Sequence, residues 1–357
     1  MEAAPGTIDA SIKLPEIDDQ YLLVDEGVPA QRKHDSLDGE ININDSHVFN
    51  LCPLPPSVQY RAELVDTIAD YFAEGEDEKP DKTPRKAIIG VGGAGKSTVA
   101  ALFAHSQLAT GSYDFIHWMP MDSEACIRHS WLGFARDLGI DTDRLTDDEI
   151  MISVYDLIGH YKYLLIFDNV SCFAAIESSL QAQAQTQTQG PRQHVLITSC
   201  DSDGWGEADS VLVGGFEEAE SVAFVRAAMG DDVLGFTEEA ARQLHVVMGG
   251  FPLALSLAVG YMRNHSSLQL SAKEMCLSQY VSLFNWQGLS GPAVSSAEAG
   301  AAQTAISLWR LTAEDGVGQD SLRLMTLISM LCPDHIPAHL LEKLGGAAAE
   351  VTVEDAV

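Results

Sequence analysis

An α/β fold, a parallel sheet with helices on both faces followed by an all-α region, is what this chain predicts. Three observations carry the expectation. Short apolar strands alternate with helical segments as far as about residue 215. One of those strands, Tyr163-Leu164-Leu165-Ile166-Phe167, is a continuous apolar run, the pattern of a strand covered on both faces. Beyond Gly215 the strand signals stop and only helical periods remain.

The segment Arg85 to Ile89 reads as the first strand of the sheet and runs straight into Gly90-Val91-Gly92-Gly93-Ala94-Gly95-Lys96-Ser97-Thr98. Gly90, Gly95, Lys96 and Ser97 satisfy the Walker A pattern, G-x-x-x-x-G-K-[ST]. Backbone N–H groups of such a loop (Gly92, Gly93, Ala94, Gly95) surround phosphate oxygens, Lys96 reaches the β and γ oxygens, and Ser97 can hold Mg²⁺. A strand before and a helix after, Lys96 to Leu108, supply the context the motif requires, so the sheet is expected to be that of a P-loop NTPase.

The remaining elements follow in order. Residues 1–50 are acidic, lack a sustained period and are expected to be a mostly disordered leader. The cluster Pro53-Leu54-Pro55-Pro56 closes it, and Tyr60 to Phe72 reads as an amphipathic helix with Arg61 in its first turn. A charged linker, Glu74 to Pro84, precedes the phosphate-loop strand. Tyr113 to Met119 is the next strand. Asp122 or Ser123 caps a helix reaching about Leu138, and Thr146-Asp147-Asp148-Glu149 is a capping box for another reaching about Tyr161. Gln181 to Gln189 is low in complexity and is expected to be a mobile surface insertion. His194 to Ser199 and Ser210 to Val213 complete the strands. Helices are expected over 217–229, 237–248 and 252–262, with Pro252 at a first helical position, and further on over 271–284, 298–312 and 321–331.

Composition limits the functions available. A net charge of −31 argues against a nucleic-acid or anionic-membrane surface, both of which need a concentrated Lys/Arg face. No apolar run approaches the ~18 residues of a bilayer span. Six scattered cysteines without a C-x-x-C pair fit reduced thiols, hence a cytoplasmic protein, and no metal-ligand spacing of histidines appears. Any metal is expected to arrive with the nucleotide.

Ligands of a parallel sheet bind outside the carboxyl ends of its strands. Three such ends stand out: the glycine loop after Ile89, Asp168-Asn169 after Phe167, and Thr198-Ser199-Cys200 after Ile197. Asp168, a carboxylate at the tip of a buried strand, can hold Mg²⁺ through water together with Ser97. Asn169 can orient a water but cannot take its proton, and the Cys200 thiol offers no fixed positive charge. Arg192 lies at the opposite end of its strand. Lys96, Asp168 and Asn169 are therefore the candidate catalytic set, with tight binding and slow turnover expected.

Gly90–Thr98, Leu164–Asn169, Val195–Ser199 and Gly250-Phe251-Pro252-Leu253-Ala254-Leu255 together resemble, in order and spacing, the NB-ARC domain of STAND signalling NTPases over roughly residues 54–345. The resemblance implies that Pro252 lines the base and ribose, that Tyr60-Arg61 occupies the adenine-binding turn, where relatives usually carry Gly-Arg, and that residues 216–285 form a helical lid. It also implies a winged-helix start after about 300. Relatives commonly carry Arg where Cys200 stands, and there it reads the terminal phosphate. Many carry a second acid where Asn169 stands. His335 and His339 lie near the place of the winged-helix latch without matching it.

The expected organisation is a leader (1–50), a nucleotide-binding domain (51–215), a helical lid (216–290) and a partial winged-helix region (291–357). The function implied is an ADP/ATP-controlled molecular switch in signal transduction, using Mg²⁺, with weak hydrolysis. Its partners would be an adenine nucleotide and protein or self-association on activation, with no nucleic acid and no membrane. An active ATPase coupled to conformational work and a non-hydrolysing nucleotide-binding scaffold are the alternatives.

Overall fold

The structure, a computed structural model, describes residues 47–55, 57–78, 84–186, 193–206, 209–229 and 236–268. Most of the leader, the helices expected after 268, the winged-helix start, Arg192, His335 and His339 lie outside these residues. Six parallel strands form one sheet: β1 (His47–Phe49), β2 (Arg85–Ile89), β3 (Phe115–Pro120), β4 (Tyr163–Val170), β5 (Gln193–Ser199) and β6 (Ser210–Leu212). Their spatial order is β1-β3-β4-β5-β2-β6, so β5 separates the phosphate-loop strand from the strand that carries Asp168.

The period of two explains why β4 reads as one apolar run. Tyr163, Leu165 and Phe167 pack into one core with α3 (Glu124–Asp137), α4 (Asp147–Ile158) and α5 (Glu177–Gln185). Leu164 and Ile166 pack into the opposite core with α1 (Ala62–Glu78) and α2 (Lys96–Thr110). With helices on both faces, no position of the strand tolerates a polar side chain until Asp168 emerges at its tip. A third core belongs to α6 (Glu218–Met229), α7 (Glu238–Met248) and α8 (Pro252–Leu268), which make the expected all-α region.

Helix ends follow local chemistry. Ser123 caps α3 by accepting from the Cys126 N–H, and Thr146 with Glu149 closes the capping box of α4. Three expectations are corrected. His47–Phe49, placed in the leader, is an edge strand paired in parallel with β3; three residues are too few to show a period. Helix α1 continues to Glu78 through what reads as a charged linker. The first half of the Gln/Ala tract is helix α5, not a mobile insertion. It is anchored by two polar contacts: Gln183 Nε2 donates to the Tyr163 hydroxyl at 2.6 Å and Trp131 Nε1 donates to Ser179 Oγ at 3.0 Å.

Edge strand β1 is held partly by an unusual histidine. His117 is 1% exposed, stacks on Phe134 at 3.8 Å between ring centroids, and meets the Phe49 ring at 5.5 Å. Its Nδ1 has no hydrogen-bond partner, and burial lowers its pKa to about 3. The unfolded chain therefore takes up a proton near pH 6.5 that the folded chain refuses until about pH 3. Stability present above pH 6.5 should be lost as pH falls between these values, by about 1.4 kcal/mol per unit. Melting temperatures of wild type and His117→Phe should converge on this account towards neutral pH and separate progressively below pH 6, the wild type falling faster. Parallel curves would overturn the assignment.

Candidate functional site

The carboxyl ends of β2, β4 and β5 meet at one point. Gly90 leaves β2 with φ 152, and a Cβ there would lie 2.3 Å from the Val213 carbonyl oxygen, so this position admits only glycine. Gly95 precedes α2 in the left-handed region and offers no side chain to cap it. The first N–H groups of a 15-residue helix are thereby left for an anion, which is the donor arrangement phosphate requires. Lys96, 7% exposed, folds back so that Nζ donates to the carbonyls of Gly90 (2.9 Å) and Val91 (3.1 Å) and to Cys200 Sγ (3.1 Å). The loop thus carries a desolvated cation at its centre, with Cys200 facing it from the end of β5.

Asp168 stands opposite Ser97. Ser97 Oγ donates to Asp168 Oδ1 at 2.7 Å, and Thr198 Oγ1 donates to the same oxygen at 2.6 Å. Asn169 follows in the left-handed region at φ 61, and its N–H donates to Thr198 Oγ1 at 2.8 Å. This turn shifts the β4–β5 register between Phe167 and Val170. A hydroxyl and a carboxylate are the hard oxygen ligands that Mg²⁺ prefers, so Ser97 and Asp168 fit the metal that would accompany a nucleotide. Among the described residues no cluster of three or more His, Cys, Asp or Glu offers a separate metal site.

Residues 51–55 and 57–61 also reach this site. The Cys52 carbonyl accepts from His105 Nε2 at 3.0 Å. Desolvation, and then the Asp168 carboxylate, raise the Cys52 thiol pKa above its ordinary value. Further along, Val58, Gln59 and Arg61 line a cavity of about 110 Å³ together with Ala94, Gly95 and Thr98 and with Phe216, Phe224 and Pro252.

Arg61 shows what the sequence left out. Besides lining the cavity, its guanidinium donates to the Gly214 carbonyl (3.0 Å), the Gly215 carbonyl (3.2 Å) and Glu220 (3.2 Å), and it stands 5.7 Å from the centre of the Phe216 ring. It ties the start of α1 to the chain entering α6. These partners are 153 to 159 residues away in sequence, so no local signal announces them. Helix α8 also touches the loop directly: the Leu253 N–H donates to the Gly93 carbonyl at 3.3 Å, and a Cβ on Gly93 would be 3.0 Å from the Leu253 Cβ. Structure thus brings together Gly90 to Thr98, Asp168, Asn169, Arg61 and Pro252 at one site.

A parallel sheet with this glycine loop between strand and helix, and an aspartate at the end of a nearby strand, defines a P-loop NTPase. Residues 62–205 match the family model of the NB-ARC domain. No curated protein matches in sequence. Among solved structures, the Aeropyrum pernix ORC2 protein aligns at 13% identity over 83% of this chain and 82% of that chain, TM-score 0.48. Cdc6p from Pyrobaculum aerophilum aligns at 11% identity over 84% and 82%, TM-score 0.46. The STAND protein PH0952 of Pyrococcus horikoshii, which has a tetratricopeptide repeat sensor, aligns at 13% identity over 83% of this chain and 40% of that chain, TM-score 0.43.

Proposed function

We propose that the chain is an adenine-nucleotide-controlled switch, in which ADP or ATP with Mg²⁺ lies between the phosphate loop and the helical lid, and hydrolysis is slow. The observation that carries this reading is the seam between Gly93 and Leu253. One end of lid helix α8 rests on the loop that would hold the phosphates, with Pro252 lining the cavity beside it. A ligand bound in such a seam touches both bodies and favours whichever arrangement it fits better, which is the physical requirement for a switch.

Slow hydrolysis follows from what surrounds the expected terminal phosphate. Lys96 supplies positive charge, but Cys200 stands where a second cation would help, and Asn169 can orient a water without accepting its proton. Mg²⁺, when bound, would neutralise phosphate charge; Ser97 and Asp168 would hold it, while the loop N–H groups and Lys96 bind and orient the phosphates. Partners on activation would be proteins or further copies of this chain. The net charge of −31 works against nucleic acid. No helix among the described residues is long and apolar enough to cross a membrane.

Two measurements on the full chain test the reading. Single-turnover hydrolysis of ATP should run far below one per second, the lower end of ordinary enzyme rates. Small-angle scattering should give different profiles for the ADP and ATP complexes. Turnover at or above that rate would make the protein a working ATPase instead, and identical profiles would make the nucleotide a structural ligand.

A further inference from the structure

We propose that Thr198 is a positioning residue for the metal: its hydroxyl sets the Asp168 carboxylate in the orientation that receives nucleotide-bound Mg²⁺. The inference rests on the nucleotide-binding reading above and concerns a residue that no phosphate-loop pattern includes. Strand order makes the contact possible. Because β5 lies between β4 and β2, the last inward-facing side chain of β5 falls between Asp168 and the phosphate-loop strand, where its Cα is in register with Ile88. Leu196, two residues earlier, packs into the core on the α2 side of the sheet, so Thr198 projects to the side from which Ser97 approaches.

Both hydrogen-bonding functions of the hydroxyl are committed. It accepts the Asn169 N–H at 2.8 Å, which leaves its proton to point at Asp168 Oδ1, 2.6 Å away. The hydroxyl is 1% exposed with its residue, so water does not compete for either bond. Ser97 donates to the same Oδ1. Two donors on one oxygen prevent rotation of the carboxylate and leave Oδ2 outside both bonds. The Asn169 turn, in the left-handed region, coincides with the shift of β4–β5 register and accompanies the bond of its N–H to Thr198. Partners that orient a ligating carboxylate typically contribute about 10–100-fold to metal affinity.

The test compares wild type, Thr198→Val, Thr198→Ser and Thr198→Ala, measuring ADP affinity by calorimetry with excess EDTA and with Mn²⁺, and Mn²⁺ binding to the ADP complex by electron paramagnetic resonance. Thr198→Val should bind Mn²⁺ in the ADP complex about 10–100-fold more weakly, while ADP affinity in EDTA stays within about twofold of wild type. Thr198→Ser, which keeps the hydroxyl, should restore Mn²⁺ affinity. Should Thr198→Val not fold, Thr198→Ala against Thr198→Ser supplies the same comparison. Equal loss of ADP affinity with and without metal would show a merely structural role, and unchanged Mn²⁺ affinity would overturn the proposal outright. A wild type that binds no ADP in either condition would instead overturn the nucleotide reading on which the proposal rests.

Discussion

Lys96→Ala should abolish measurable binding of ATP and ADP while leaving the sheet folded. Lys96 is the cation at the centre of the loop, nearly buried, and held by the carbonyls of Gly90 and Val91 within 3.1 Å. A hydrogen bond to a charged group is worth about 1.5–3 kcal/mol, and two such contacts to phosphate oxygens correspond to a loss of roughly two to four orders of magnitude in affinity. Lys96→Arg should also fail. Its planar guanidinium cannot follow the path of a point-charge ammonium within a loop closed by Gly90 and Gly95. Calorimetric titration with Mg·ADP and Mg·ATP reads the effect, with circular dichroism to verify folding; wild-type affinity in a folded Lys96→Ala variant would refute the assignment of the loop.

Gly250→Ala should be the most damaging single-methyl change in the lid. Gly250 has φ +70, and an added Cβ would lie 2.5 Å from the Phe216 carbonyl oxygen and 3.0 Å from His245 Cε1. Neither neighbour can retreat easily, since the Phe216 N–H donates to the Gly250 carbonyl at 2.7 Å and Ser221 Oγ pairs with His245 Nδ1 at 2.8 Å. Backbone strain of about 1–3 kcal/mol adds to overpacking of similar size. The damage falls on the chain entering the lid, where Phe216 packs on Phe224 and beside Arg61. Hydrogen exchange should therefore accelerate over 216–268 and remain slow over β2, β4 and β5, with ADP affinity reduced at least tenfold. Gly92→Ala is the matching control. No atom lies within 4 Å of its would-be Cβ, so lid protection should be unchanged. Uniform loss of protection across both regions in Gly250→Ala would contradict a separately stabilised lid.

What could be read in advance and what could not divides along physical lines. The β4 run, the capping box at Thr146, the glycine loop and the helix start at Pro252 are local: each depends on residues within one element, and each stands where its pattern places it. Asp168 was legible for the same reason, as the first polar residue after a buried strand. The orientation of its carboxylate was not, because that depends on Thr198, which strand order brings alongside from 30 residues away. Only the resemblance assigns Arg61 to the adenine-binding turn, and its grip on Gly214, Gly215 and Glu220 is a property of the assembled fold. Helix α5 escaped notice because its Gln and Ala residues carry little periodic signal; its anchors, Ser179 and Gln183, become meaningful only when Trp131 and Tyr163 arrive from other elements. Short β1 owes its place to pairing with β3 rather than to any pattern of its own.

The central claim is that an adenine nucleotide fills the space between the glycine loop and the lid, and it is tested most directly by stripping the purified chain of ligand, adding Mg·ADP, removing the excess by gel filtration, and identifying what denaturation releases by mass spectrometry. About one ADP per chain is expected from wild type and none from Lys96→Ala. Release of no nucleotide from folded wild-type protein, or equal retention by the two, would contradict it.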